Sequence, residues 1–119
     1  MNNYKHINMA YLNEMSGGDK QFVIEMITDC KEKLPAYINE LTNAMDKQII
    51  DDVRFFSHKL HSSFHIVGAL ELANLTGVIE QMAKAYENTD KIIIEVNKVL
   101  PIYNQVVLEL DEELKRLNS

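Results

Sequence analysis

At 119 residues the chain has the size of one domain, read here as a single helical bundle spanning 1–119, with little room for a second. A net charge of −6 with no basic run argues against a nucleic-acid partner, and a lone cysteine, Cys30, rules out an intramolecular disulfide. With 46% hydrophobic and 25% charged residues, the composition is that of a folded globular domain rather than a disordered tail.

A short first helix is predicted over 8–15, stopped by Ser16-Gly17-Gly18, with Asp19 as N-cap of the next. Phe22, Val23, Met26, Ile27 and Cys30 then recur at helical spacing. Pro35 is placed in the first turn of a third helix, whose stripe is Tyr37, Ile38, Leu41, Ala44 and Met45. Asp51 and Asp52 open a fourth, which Gly68 ends. A fifth carries Leu72, Leu75, Ile79 and Met82, and Asn88-Thr89-Asp90 marks the following turn. The last helical stretch covers about 91–117, with Ile93, Val96, Leu100, Val107, Leu110, Leu114 and Leu117 as apolar positions. Pro101 lies inside it and predicts a kink or break, because proline lacks the donor for the Asn97 carbonyl and clashes with it. The acidic stretch 109–113 reads as a solvated helix end.

No segment alternates as a strand does, so the fold class is all-α. Short loops favour an antiparallel up-and-down four-helix bundle with a short additional N-terminal helix. The start, MNNYKHINMAYLNEM, lacks the apolar core of a signal peptide, and apolar runs such as Ile92-Ile93-Ile94 are too short to cross a bilayer. The chain is therefore read as cytoplasmic, without direct membrane contact, and as a monomer.

The stretch 51–69 is the most informative. With about 100° per residue and Ile50 as origin, Val53, Phe56, Leu60, Phe64 and Val67 fall between roughly 240° and 320°, a single core-facing stripe. Arg54, His58, His61 and His65 fall between roughly 20° and 80° on the same wheel, so His58 points to water. A neutral imidazole presented on a rigid helix can accept a phosphoryl group from an outside aspartyl phosphate. Arg54 and His61, each about one turn from His58, are candidates to support that phosphate. Ser62 is small and leaves room for a partner loop, while Phe55 and Ile66 lie off the main stripe as a candidate docking patch.

These residues resemble the histidine-containing phosphotransfer (HPt) family, whose segment runs Ala-His-x-Leu-Lys-Gly, then five residues, then Gly. Here Ser57-His58-Lys59-Leu60-His61-Ser62 is followed by five residues and Gly68. Leu72, Leu75 and Glu80 resemble the family's leucine-rich continuation, and Tyr11-Leu12, Ser16-Gly17-Gly18-Asp19 and Phe22 its opening. The resemblance implies a four-helix bundle with His58 as phosphoacceptor, exposed midway along one helix. It implies response-regulator receiver domains as partners, often with a hybrid histidine kinase upstream, and no kinase activity in the bundle itself. It implies no intrinsic cofactor, the receiver domain supplying the magnesium ion. His65 and Lys59 complete the expected docking surface around Phe55, Ser62 and Ile66. The departures are His61 for the family's lysine and Ser62 for its glycine.

Two other readings compete. His58, His61 and His65 stand at i, i+3 and i+7, a spacing that suits a metal-binding bundle, although neither His-Glu-x-x-His nor Glu-x-x-His is present. An adaptor bundle without chemistry would keep its partners after loss of His58. Hydrolysis is disfavoured, since Ser57 and Ser62 adjoin histidines only at i and i+1, positions that do not face each other on a helix.

Overall fold

The computed structural model describes residues 4–119. Helices run in the order α1 Ala10–Ser16, α2 Lys20–Asp46, α3 Ile50–Ile66, α4 Leu70–Lys84, α5 Thr89–Val96 and α6 Val99–Leu117, with no strand among the described residues. α2, α3, α4 and the α5–α6 column form an antiparallel four-helix bundle measuring 46 × 23 × 20 Å. α3 packs against both α2 and α4, α6 closes the ring against the same two helices, and α1 lies on α2.

Local chemistry sets the boundaries. The Asp19 carboxylate accepts the Phe22 N–H at 3.2 Å and caps α2, and Asn88 accepts from Asp90 to start α5. Three helices end in the same paired-bond cap. Ile49 N–H donates to the Ala44 carbonyl, Ala69 N–H to Phe64 and Glu87 N–H to Met82. The residue in the left-handed conformation is Gln48, Gly68 and Tyr86 respectively.

The structure corrects one expectation about helix count. Pro35 does not begin a helix but lies inside α2, which runs unbroken for 27 residues. The buried stripe explains why: Val23, Ile27, Cys30, Leu34, Ile38 and Leu41 keep one phase through the proline. Pro35 itself faces solvent, so the Lys31 carbonyl that it leaves without a backbone donor lies near water. Restoring the donor with Pro35→Ala is expected to raise stability by roughly 1–3 kcal/mol in a denaturation curve, offset in part by a freer unfolded chain. An unchanged or lower midpoint would show that the ring is not accommodated at the helix's expense. Cys30 is one of the core positions, and burial pushes its thiol up to about 11, out of reach of neutral-pH thiol chemistry.

Pro101 acts as expected. It sits in the first turn of α6, and the column breaks at Asn97 and Lys98, both still in right-handed dihedrals. The buried stripe of this column is Ile92, Val96, Val99, Tyr103, Val106, Leu110 and Leu117, so Leu100 turns outward and is 52% exposed.

The acidic stretch is the second correction. Glu113 is buried rather than solvated, accepting the Tyr4 hydroxyl at 2.8 Å and a two-pronged contact from Arg116. Glu109 accepts the backbone N–H groups of Lys5, His6 and Ile7 at 3.3, 2.8 and 3.1 Å. Burial, with Glu113 beside it, pushes the Tyr4 hydroxyl up to about 12, so it stays a donor throughout the physiological range. The N-terminal segment is thus a strap fixed to α6. It continues across the α3–α4 turn, where Asn8 N–H donates to the Gly68 carbonyl at 2.9 Å. Glu109 is occupied because backbone N–H groups leaving water need acceptors, and Glu113 because a buried carboxylate needs donors, here Tyr4 and Arg116.

Candidate functional site

The candidate site lies on the outer seam between α3 and α4. Val53, Leu60, Phe64 and Val67 are fully buried and Phe56 partly so, which fixes the rotation of α3. His58 then stands on the outside, its side chain 63% exposed. Its Nδ1 lies 2.9 Å from Oε2 of Glu80, which comes from α4 and is itself mostly buried. An ionised carboxylate can only accept, so Nδ1 carries the proton and donates. The neutral ring therefore keeps its lone pair on Nε2, on the opposite side of the ring from Glu80.

His61 is half-buried and turns toward α4. Its Nδ1 lies 2.6 Å from the Ala73 carbonyl, an acceptor, so Nδ1 again donates. Gly77 lies beside the ring: a Cβ at 77 would stand 3.1 Å from Nδ1, so that the ring would have to give by a few tenths of an ångström. The same ring borders a shallow depression of about 460 Å³ with Asn74, Gly77, Val78, Gln81 and Glu87.

The remaining predicted residues divide into two sets. Arg54 is exposed and has no ion pair or hydrogen bond from its side chain among the described residues. It stands one turn before His58, while Lys84 stands one turn after Glu80 at the end of α4. Tyr86 O–H donates to Asp51 at 3.1 Å one turn further along, so the two cations share a level of the antiparallel pair. Away from α4, Phe55 is 53% exposed, edge-on to Phe56 at 5.0 Å, with the Lys59 ammonium 5.3 Å from its ring centroid. Ser62 is exposed, but Ile66 is half-buried and packs on the core, leaving Phe55 as the protruding apolar group on this side. His65 meets Tyr11 of α1 edge-on at 5.0 Å.

His61 and His65, the i,i+4 pair that a metal would use, are thus each engaged with a different neighbour. Among the described residues no three His, Cys, Asp or Glu side chains gather as metal ligands. Glu80 is the partner that sequence spacing on α4 alone could not aim at His58. Gly77 carries no sequence signal at all, since its role depends on the ring across the seam.

A family model described as Hpt domain matches residues 25–119. Among solved structures the chain is similar to the crystal structure of the HPT domain from the Hpt sensor hybrid histidine kinase from Shewanella. That match has 18% sequence identity and a TM-score of 0.84, covering 96% of this chain and 97% of the other. It is a likeness of fold, and it extends through α1 and the start of α2, which the family model leaves out. No curated protein matches.

Proposed function

This chain belongs to the Hpt domain family and serves histidine phosphotransfer in a phosphorelay, and we propose that His58 is the residue that carries the phosphoryl group. The observation that carries this reading is the hydrogen bond from His58 Nδ1 to Glu80, which leaves an exposed, unprotonated Nε2 as nucleophile. Nε2 attacks the phosphorus of a receiver-domain aspartyl phosphate. The Nε2–P bond forms, the P–O bond to aspartate breaks, and the aspartate leaves as carboxylate. No proton has to leave Nε2, and the positive charge that develops on the ring is met by Glu80 across the Nδ1–H bond.

Arg54 and His61 support the phosphoryl oxygens, with charge-assisted bonds available from the guanidinium. Phe55, Lys59, Ser62, His65 and Ile66 form the surface that meets the receiver. Hpt domains interact with receiver domains and histidine kinases, and act as carriers rather than kinases. For this chain the receiver brings the magnesium ion, a hybrid kinase is the donor, and the bundle works as a monomer in the cytoplasm. No helix among the described residues is long and apolar enough to cross a membrane.

The test is label transfer from a phosphorylated cognate receiver or kinase to wild type and to His58→Gln. Label is expected on the wild type, labile in acid and stable in base, and absent from the variant. Label persisting on His58→Gln would move the acceptor elsewhere. A wild type that binds its partners, His58 intact, but takes no label would make the bundle an adaptor.

A further inference from the structure

We propose that Tyr86 is a docking anchor for the receiver domain that exchanges its phosphoryl group with His58. This rests on the reading of His58 as the acceptor. Tyr86 follows α4 in the left-handed conformation at φ 51°, where glycine is the unstrained residue. It is also 70% exposed, more than any other large apolar side chain among the described residues. Core packing does not account for a bulky ring kept in a strained, solvent-facing corner. The Tyr86 hydroxyl donates to Asp51 of α3 at 3.1 Å, which ties the ring to the α3–α4 seam. A ring tied down in advance loses less freedom when a partner covers it.

Register places this anchor beside the acceptor. Asp51 and His58 are seven residues apart on α3, so they lie on one face, about 10 Å apart along the axis. Arg54 stands between them on that face, and Lys84 precedes Tyr86 at the end of α4. A standard interface covers about 800 Å² of each partner, a disc of roughly 16 Å radius, so a receiver centred on His58 reaches Tyr86. Phe55 lies on the other flank, away from α4, so the imidazole stands between two exposed aromatic rings. Tyrosine is a side chain that concentrates binding energy at interfaces. The other strongly exposed apolar groups, Ile94, Leu100 and Leu108, belong to the α5–α6 column, across the bundle from α3. Two cations beside the ring, on a chain of net charge −6, fit a receiver face that offers an apolar side chain ringed by carboxylates near its phosphorylated aspartate.

The test measures single-turnover transfer from the phosphorylated receiver that loads His58, over a range of receiver concentrations, for wild type, Tyr86→Gly and Tyr86→Phe. Tyr86→Gly is expected to raise the half-saturating receiver concentration about tenfold while the maximal rate stays within about twofold of wild type. Tyr86→Phe keeps the ring but loses its tie to Asp51, and should fall between. Loading by phosphoramidate, a donor too small to need a docking surface, should be the same in wild type and both variants. The urea midpoint of Tyr86→Gly should stay close to that of wild type, since relief of the left-handed backbone offsets the lost hydroxyl bond. An unchanged half-saturating concentration in Tyr86→Gly would overturn the proposal while leaving His58 as acceptor. So would a rise matched by slower phosphoramidate loading or a clear fall in midpoint, either of which makes Tyr86 a support of the fold. A wild type that is dimeric in light scattering and becomes monomeric as Tyr86→Gly would give the anchor to a second copy, and overturn it too. A His58→Gln protein that still labels would overturn the reading beneath the proposal, and the proposal with it.

Discussion

Gly68→Ala is expected to destabilise the bundle by about 2–4 kcal/mol, far more than the same change at Gly17. The left-handed conformation alone does not demand glycine here. Gln48 and Tyr86 hold the equivalent cap position at φ 56° and 51° with full side chains. Gly68 differs in what crosses it: a Cβ would lie 1.7 Å from the Asn8 carbonyl oxygen, an impossible approach to backbone. The strap must therefore lift, losing the Asn8–Gly68 hydrogen bond and exposing Ile7, which is 5% exposed in the native state. Gly17, at φ 62°, has nothing within 4 Å of its would-be Cβ, so substitution there carries only the conformational cost of roughly 1 kcal/mol. Urea denaturation of both variants measures the difference. Equal losses would mean that the strap contributes no stability. Phosphotransfer should survive in Gly68→Ala, because His58 is ten residues, about 15 Å along a helix, from the turn.

Glu80→Ala is expected to slow phosphoryl transfer on the order of 10- to 100-fold while leaving the fold intact. Free imidazole in water favours the proton on Nε2, the nitrogen that must attack, and Glu80 reverses that preference. A hydrogen bond to a charged acceptor contributes about 1.5–3 kcal/mol, which corresponds to this range of rate. Glu80→Gln should fall between, since an amide oxygen still accepts from Nδ1 but cannot balance the charge on the ring. Single-turnover transfer from a phosphorylated receiver gives the rates. Values within twofold of wild type for Glu80→Ala would remove Glu80 from the mechanism, whatever His58→Gln shows.

The two prolines show what could be read from sequence and what could not. Both mark a lost donor, and the sequence reading used Pro35 as a boundary and Pro101 as a kink or break. The more telling signal was the apolar phase, which runs through Leu34 and Ile38 on one side and through Val99 and Tyr103 on the other. A core stripe that keeps its phase outweighs one missing hydrogen bond. The α3 wheel was legible because Leu60 and Phe64 fix its rotation, and it placed His58 outside correctly as geometry. The wheel could not show that His61, near the same angle, would be drawn onto α4. That depends on Gly77 and the Ala73 carbonyl, which come from another helix. Glu109 and Glu113 were misread for a related reason. Their acidity suits solvent, and the returning chain supplies the backbone N–H groups that hold Glu109 and the Tyr4 hydroxyl that joins Arg116 on Glu113.

The strap also has a kinetic consequence. Its bonds to α6 join positions 102 to 109 residues apart, so the ends must travel the length of the chain before any of these contacts can form. Nearest-neighbour contacts such as α3 on α4 need only a short turn and can assemble first. Interactions made after the rate-limiting step leave the folding rate nearly untouched and act almost wholly on escape from the native state. The N-terminal segment is thus a latch that lengthens the lifetime of an already formed bundle.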